Sequence, residues 1–289
     1  MIRIYEADNP TSPARRERGE ILMTKRTRKQ LVAGMVVALA LLAACGGVSG
    51  PNFTVNAGGW SGEWPWFWPE KAQYIVDGEF SRNVPVTAQS RIRLDAVNGE
   101  VVITGNPGAT SVTVTAELIV GSNVSQPDAE TGLNQMEILV ALLPGEILVQ
   151  TVQPASLNGR QYLVNYKINV PSNLSVDVTQ VNGHVTVENI ENSLLVTVEN
   201  GSVYGTVSLT PGGEITLWTG NGDLDLRVPT STSADLSAQV GLGVITWDNL
   251  DFLNVVQTDR SLTGTLGNGI GQIDLDTGNG NIVVTGFDG

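Results

Sequence analysis

Histidine and cysteine are almost absent: the 289 residues contain one of each, His184 and Cys45. A His-based zinc site therefore has no second imidazole, and a Cys–His dyad has no thiol once Cys45 is modified. His184 follows an Asn-Gly pair and reads as an exposed turn residue without a triad partner or a second ligand. Basic residues are also scarce, 16 Lys and Arg against 29 Asp and Glu. No Gly-Lys-Ser/Thr run marks a phosphate loop. Beyond the N-terminal region no window carries a helical apolar stripe, and nowhere do about 20 apolar residues run together, the length a bilayer span requires. What remains is a chain that is 41% hydrophobic and only 16% charged, a composition that folds.

The longest apolar run, LVAGMVVALALLAA over 31–44, follows the basic stretch KRTRK at 25–29 and ends at Cys45. Basic segment, apolar run and small residues before a junction form a signal-peptide pattern. LAAC, residues 42–45, resembles the lipobox of bacterial lipoproteins. That resemblance implies cleavage before Cys45 and acylation of its thiol, palmitate among the chains. It predicts an extracytoplasmic protein anchored in the membrane of the cell envelope. The hydrophilic, Arg-rich residues before Met23 are unlike a compact leader, so Met23 reads as the start of synthesis and 1–44 as removed. Of the 16 basic and 29 acidic residues, eight and four precede Cys45, which leaves eight and 25 and a net charge of −17. Such a surface repels nucleic acid and anionic headgroups, so no nucleic-acid partner is expected.

Residues 45–59, rich in Gly, Asn and Ser, read as a lipid-anchored flexible tether. The next segment, 60–73, holds Trp60, Trp64, Trp66 and Trp68, four of the six tryptophans. In an extended strand Trp64, Trp66 and Trp68 share one face. Three settings suit that face: a cap over the end of the fold, the bilayer interface, or a platform for stacking sugars.

From residue 74 to 289 the pattern is strand after strand. SVTVTAELIV (111–120), MEILVALL (136–143), EILVQTV (146–152) and YLVNYKINV (162–170) alternate β-branched with polar residues, and LLPGEILV predicts an antiparallel hairpin. Beyond residue 170 a unit of strand, Gly-containing turn and strand recurs. Its turn glycines Gly183, Gly201, Gly222 and Gly243 are 18, 21 and 21 residues apart, with an earlier copy at Gly99 and a later one at Gly280. The expectation is an all-β fold, a parallel β-helix-like solenoid with coils of about 20 residues and some antiparallel hairpins in its N-terminal part. Asn-Gly supplies corners at positive φ. A sandwich of Asn-Gly hairpins is the competing architecture, and the regular spacing favours the solenoid. Ser202, beside Gly201, reads as a solvent-side position.

VNYKINVPSNLSVDVTQVNGHVTV (164–187), LDLRVPTSTSADLSAQVGLGVITW (224–247) and the TGNGDLDL and TGNGNIVV turns resemble the putative-adhesin family of bacterial envelope proteins. The resemblance covers most of residues 90–289. It implies an all-β repeat domain and transfers no catalytic residue. A binding or structural module of the envelope, partnered by glycan or protein, is the leading reading; no cofactor and no metal are expected. A polysaccharide-active enzyme is the alternative, because Asp223 with Asp225 and Asp274 with Asp276 are paired at i, i+2 and each pair shares a strand face. Alternation with Leu and Ile is equally what a strand with one wet face shows.

Overall fold

The computed structural model describes residues 55–56 and 72–288. Cys45 and the tryptophans 60, 64, 66 and 68 lie outside the described residues. Within them the chain is all-β, with two ten-stranded mixed sheets. It opens with β1 (Val55–Asn56) and β2 (Tyr74–Pro85), which pair antiparallel. Two residues of the stretch read as a tether thus form a strand. Six times, a strand of the second sheet turns a tight corner into a strand of the first. These units are β3 (Arg91–Asp95) with β4 (Val101–Asn106), β9 (Ser175–Asn182) with β10 (Val185–Ile190), and β11 (Leu194–Asn200) with β12 (Val203–Val207). The others are β13 (Glu214–Asn221) with β14 (Leu224–Pro229), β15 (Ala234–Leu242) with β16 (Ile245–Asp248), and β19 (Gly271–Asn279) with β20 (Ile282–Phe287). A seventh unit, β7 (Glu146–Val152) with β8 (Gln161–Pro171), is joined by a longer loop.

Alternation decides which side chains go inside. Val176, Val178, Val196, Leu217, Ile273 and Leu275 of the second sheet are buried against Val185, Val187, Leu224, Leu226, Ile282 and Val284 of the first. Equivalent strands pair parallel and in register, Val196 beside Val178 and Leu217 for example. Antiparallel strands appear at the ends. β5 (Ser111–Ser122) joins β2 and β8, β6 (Glu137–Leu143) pairs with β7 across the Pro144-Gly145 turn, and β17 (Phe252–Gln257) pairs with β18 (Ser261–Leu266) beyond β15.

The corners explain the Asn-Gly repeats. Gly99, Gly183, Gly201, Gly222, Gly243 and Gly280 all have φ between 127° and 154°. The second reason for glycine is contact. A Cβ on Gly183 would overlap the carbonyl oxygen of Gly99, and likewise Gly201 with Gly183, Gly222 with Gly201, Gly280 with Gly222 and Gly243 with Gly280. The asparagines form a row of amide-to-amide hydrogen bonds. Asn182 donates to Asn98 (2.8 Å), Asn200 to Asn182 (3.0 Å), Asn221 to Asn200 (2.8 Å) and Asn279 to Asn221 (2.7 Å). Asn98 closes the row by donating to the Tyr162 carbonyl at 3.1 Å. Residues after the glycine form a second row, each accepting the backbone N–H of its counterpart in the next unit. His184 Nδ1 accepts from Ser202 (3.1 Å), Ser202 Oγ from Asp223 (3.0 Å), Asp223 Oδ1 from Asn281 (2.7 Å) and Asn281 Oδ1 from Val244 (3.1 Å). Ser202 is therefore buried, contrary to the solvent-side expectation, because its hydroxyl is a link in this row.

Stacking order differs from chain order. The even spacing of Gly201, Gly222 and Gly243 suggests three successive coils, but β19 pairs with both β13 and β15, and β20 with both β14 and β16. The C-terminal unit thus lies between two units that precede it in sequence. Similarly, β7 and β8 lie outside β3 and β4, while β9 and β10 lie on their other side. The unit that ends the stack carries Leu242 and Val244 where the others carry Asn and a polar acceptor, and both are exposed, 63% and 58%.

Residues at each end close the core. At the β17 end Trp247 meets Phe252 edge-to-face at 5.9 Å, and both pack on the buried cluster. At the other end the eight-residue helix α1 (Gln126–Leu133) packs on β2 and β5 with Ala129 and Leu133 buried. The sequence pattern shows no helix there because α1 is too short to display a stripe. Its start is set by Ser125, whose hydroxyl accepts the Asp128 N–H, and by proline in the first turn. Arg160 holds Asp128 through two bonds of 2.7 and 3.1 Å, and with the Ser122 hydroxyl it keeps that carboxyl down at about 2.

Three substitutions test the corners. Gly280→Ala should cost at least about 3 kcal/mol, because backbone strain is joined by overlap with a carbonyl that cannot move aside. Gly108→Ala, also at positive φ but facing open space, should cost only about 1–2 kcal/mol. Asn200→Leu should cost about 1–3 kcal/mol by orphaning the amides of Asn182 and Asn221. Urea unfolding of the three variants measures each value.

Candidate functional site

The turn glycines stack as described, but the described residues singled out for chemistry, His184 and the paired aspartates, do not converge on one site. His184 is half-buried rather than exposed, and its Nδ1 is occupied as an acceptor in the corner row. Asp223 is held in the same row, and Asp225 lies on the outer face of the first sheet, where burial raises its pKa against the pull of Arg227. Asp274 and Asp276 lie on the outer face of the second sheet. The four carboxylates are therefore divided between opposite faces, and each pair alternates with buried Leu or Ile. Among the described residues no group of three or more His, Cys, Asp and Glu side chains is arranged to hold a metal ion.

The surface offers two open depressions instead. On the first sheet one of about 700 Å³ is lined by Glu79, Glu100, Glu117, Asn165 and Lys167 from four adjacent strands. Asn165 ties its floor together, donating to Glu117 at 3.1 Å and accepting the Glu100 N–H at 3.0 Å. Glu79 stands directly opposite Glu117, a like-charge pairing that costs stability.

On the second sheet a groove of about 470 Å³ crosses the beginnings of β3, β9, β11 and β13 and is bordered by the Pro144-Gly145 turn. Small residues make it concave: Ser90, Ser175 and Ser193 stand where neighbouring positions carry larger side chains. Register sets a row of Thr216, Leu195, Asp177 and Arg93 across four strands. Leu195 is 42% exposed. Burial raises the pKa of Asp177, and the nearby positive charges of Arg91 and Arg93 only partly oppose it. Sequence reading misses this groove because β3 pairs with β9 across some 80 intervening residues, and no local pattern announces that register.

A known structure shares this fold. A putative cell adhesion protein from Clostridium sporogenes superposes with a TM-score of 0.50 at 16% identity, over 73% of this chain and 100% of that one. A putative adhesin from Bacteroides fragilis matches at 13% identity and a TM-score of 0.27, over 71% of this chain and 96% of that one. No family model and no curated protein matches the chain. The first likeness shows the all-β fold; identities this low carry no activity across.

The raised pKa of Asp177 gives a stability prediction with a definite sign. A carboxyl whose folded value lies above its ordinary 3.8 favours the protonated form in the fold, so it destabilises once pH rises above the folded value. Asp177→Asn should therefore melt above the parent at pH 7. The difference should vanish as pH falls below the ordinary carboxylate range, where both states are protonated. Thermal melts from pH 3 to 7 check this.

Proposed function

We propose that the chain is a lipid-anchored, extracytoplasmic binding module of the bacterial envelope, a two-faced β-solenoid of the putative-adhesin kind without catalytic activity. The observation that carries this reading is how the one imidazole is used. His184, with Asp223, is a hydrogen-bond acceptor within the corner rows, so groups suited to acid–base chemistry hold the architecture. The outer faces remain open and polar, as a binding surface requires. Stacked corner glycines and in-register parallel strands support the solenoid.

A lipid at Cys45 sets the geometry of such a module. Nine residues lie between Cys45 and Val55, so the β1 edge stands within about 36 Å of the bilayer surface, the reach of the ten steps that join them. Among the described residues no helix is long and apolar enough to cross a membrane. The enzyme alternative, built on paired carboxylates, loses support because Asp223/Asp225 and Asp274/Asp276 face opposite ways.

A screen of glycans and envelope fragments against the lipid-free chain from Gly46 onward, with a hydrolysis assay on every hit, tests the reading. Binding without turnover is the expected outcome; turnover would replace it with the glycan-active enzyme. Cys45→Ser should abolish membrane retention, read by fractionation and by mass spectrometry of the mature N-terminus. The helix α1 at one end and the Trp247–Phe252 pair at the other pack on the core, which favours a surface role for the tryptophan segment over a cap. Changing Trp64, Trp66 and Trp68 together to Ala should leave the melting temperature of the lipid-free chain nearly unchanged while reducing its binding to liposomes or glycan. A loss of several kcal/mol would restore the capping role.

A further inference from the structure

The groove on the second sheet contains one charged group that the fold does not use. Asp177 lies in register between Arg93 and Leu195, and each nearby arginine is bonded to a different carboxylate. Arg93 grips Asp95 of its own strand at 2.8 and 3.1 Å, and Arg91 reaches Glu146 on β7 at 3.0 Å. Among the described residues Asp177 has neither a hydrogen bond nor a contact ion pair, and it lines the groove half-buried. Other carboxylates of this face are engaged: Glu214 accepts the Thr216 hydroxyl at 3.0 Å, and Asp235 accepts that of Thr265 at 2.7 Å. Around Asp177 the groove offers the hydroxyls of Ser175 and Ser193 and the exposed side of Leu195.

We propose that this groove binds the alkylammonium group of a lysine-type side chain, with its nitrogen on Asp177 and its methylene stem along Leu195. The inference rests on the reading of the chain as a binding module and names the chemistry of one of its sites. An ammonium has three donors around a compact charge, which suits one carboxylate flanked by serine oxygens. A neutral polyol would cover the carboxylate without neutralising it, and half-buried charge is costly to leave unpaired. An anion would meet Asp177 and Glu214, against which Arg91 is the one cation of the lining, itself bonded to Glu146. A divalent cation needs six or more oxygens, and one free carboxylate cannot supply them. The acidic surface draws cationic partners toward the face as a whole.

Titration of the detergent-solubilised mature protein with Nα-acetyl-lysine N-methylamide tests this, read by saturation-transfer NMR and calorimetry at pH 7. Binding with Kd on the order of millimolar is expected, as for a single partly exposed ion pair with an apolar stem. Acetylation of the probe's Nε should abolish it. Asp177→Asn should weaken it at least about tenfold while the variant melts no lower than the parent, and Asp225→Asn on the opposite sheet should leave it unchanged. Failure of the parent to bind, equal binding by Asp177→Asn, or equal binding of the acetylated probe would each overturn the assignment. Envelope-fragment binding that persists in Asp177→Asn, together with silence toward lysine, would remove this inference and leave the binding-module reading standing. Lysine binding without any fragment binding would do the reverse.

Discussion

The fold depends on one close approach: at each corner the carbonyl oxygen of a glycine occupies the space that a Cβ of the next corner would need. This contact sets how near successive units can come, and parallel pairing on both sheets follows once the corners are stacked. Glycine is required twice over, by positive φ and by lack of room, and the second requirement is the stricter. A residue that tolerates positive φ, such as Asn254 at 54°, is found elsewhere in the chain but never at these stacked corners.

Close stacking of backbone creates a polar problem that the flanking residues solve. Each corner glycine N–H reaches a backbone carbonyl of the neighbouring corner, Gly183 to Asn200 and Gly201 to Asn221, but the N–H that follows the glycine depends on a side-chain acceptor. Asparagine before the glycine and a short acceptor after it provide two rows of hydrogen bonds beside the backbone. Thr219 and Thr277, fully buried, add a third contact by donating to the carbonyls of Gly201 and Gly222 at 2.7 and 2.8 Å. With polar groups satisfied inside the corner, the outward positions of the strands carry little structural duty. Their sequence is free to vary, and the groove beside Asp177 occupies such positions.

Much of the architecture is legible in sequence because it is periodic. Alternation in β5, β7 and β8 and the glycine spacing of the later units depend on residues near one another in the chain. Stacking order is not local. Gly222 and Gly243 are separated by the interval expected of neighbours, yet Gly280 lies between them, and only long-range pairing of β19 reveals it. The groove is hidden for the same reason, since Arg93, Asp177 and Leu195 come from three distant segments. His184 shows a finer limit. Its position after an Asn-Gly pair marks a corner, but its use as an acceptor emerges only when the next corner is placed beside it.

The residues at the end of the stack bear on solubility. A cross-β stack with in-register asparagine amides is the arrangement by which amyloid fibrils recruit monomers, each layer serving as template for the next. Here the final layer is a poor template: Leu242 offers no amide to an incoming asparagine, and Val244 offers no oxygen to an incoming backbone N–H. At the opposite end the Asn98 amide is already turned onto the Tyr162 carbonyl within the same molecule. Neither end therefore presents the free amide that a further layer would pair with, and Leu242→Asn with Val244→Asn is the shortest change that would supply one at the β15 corner.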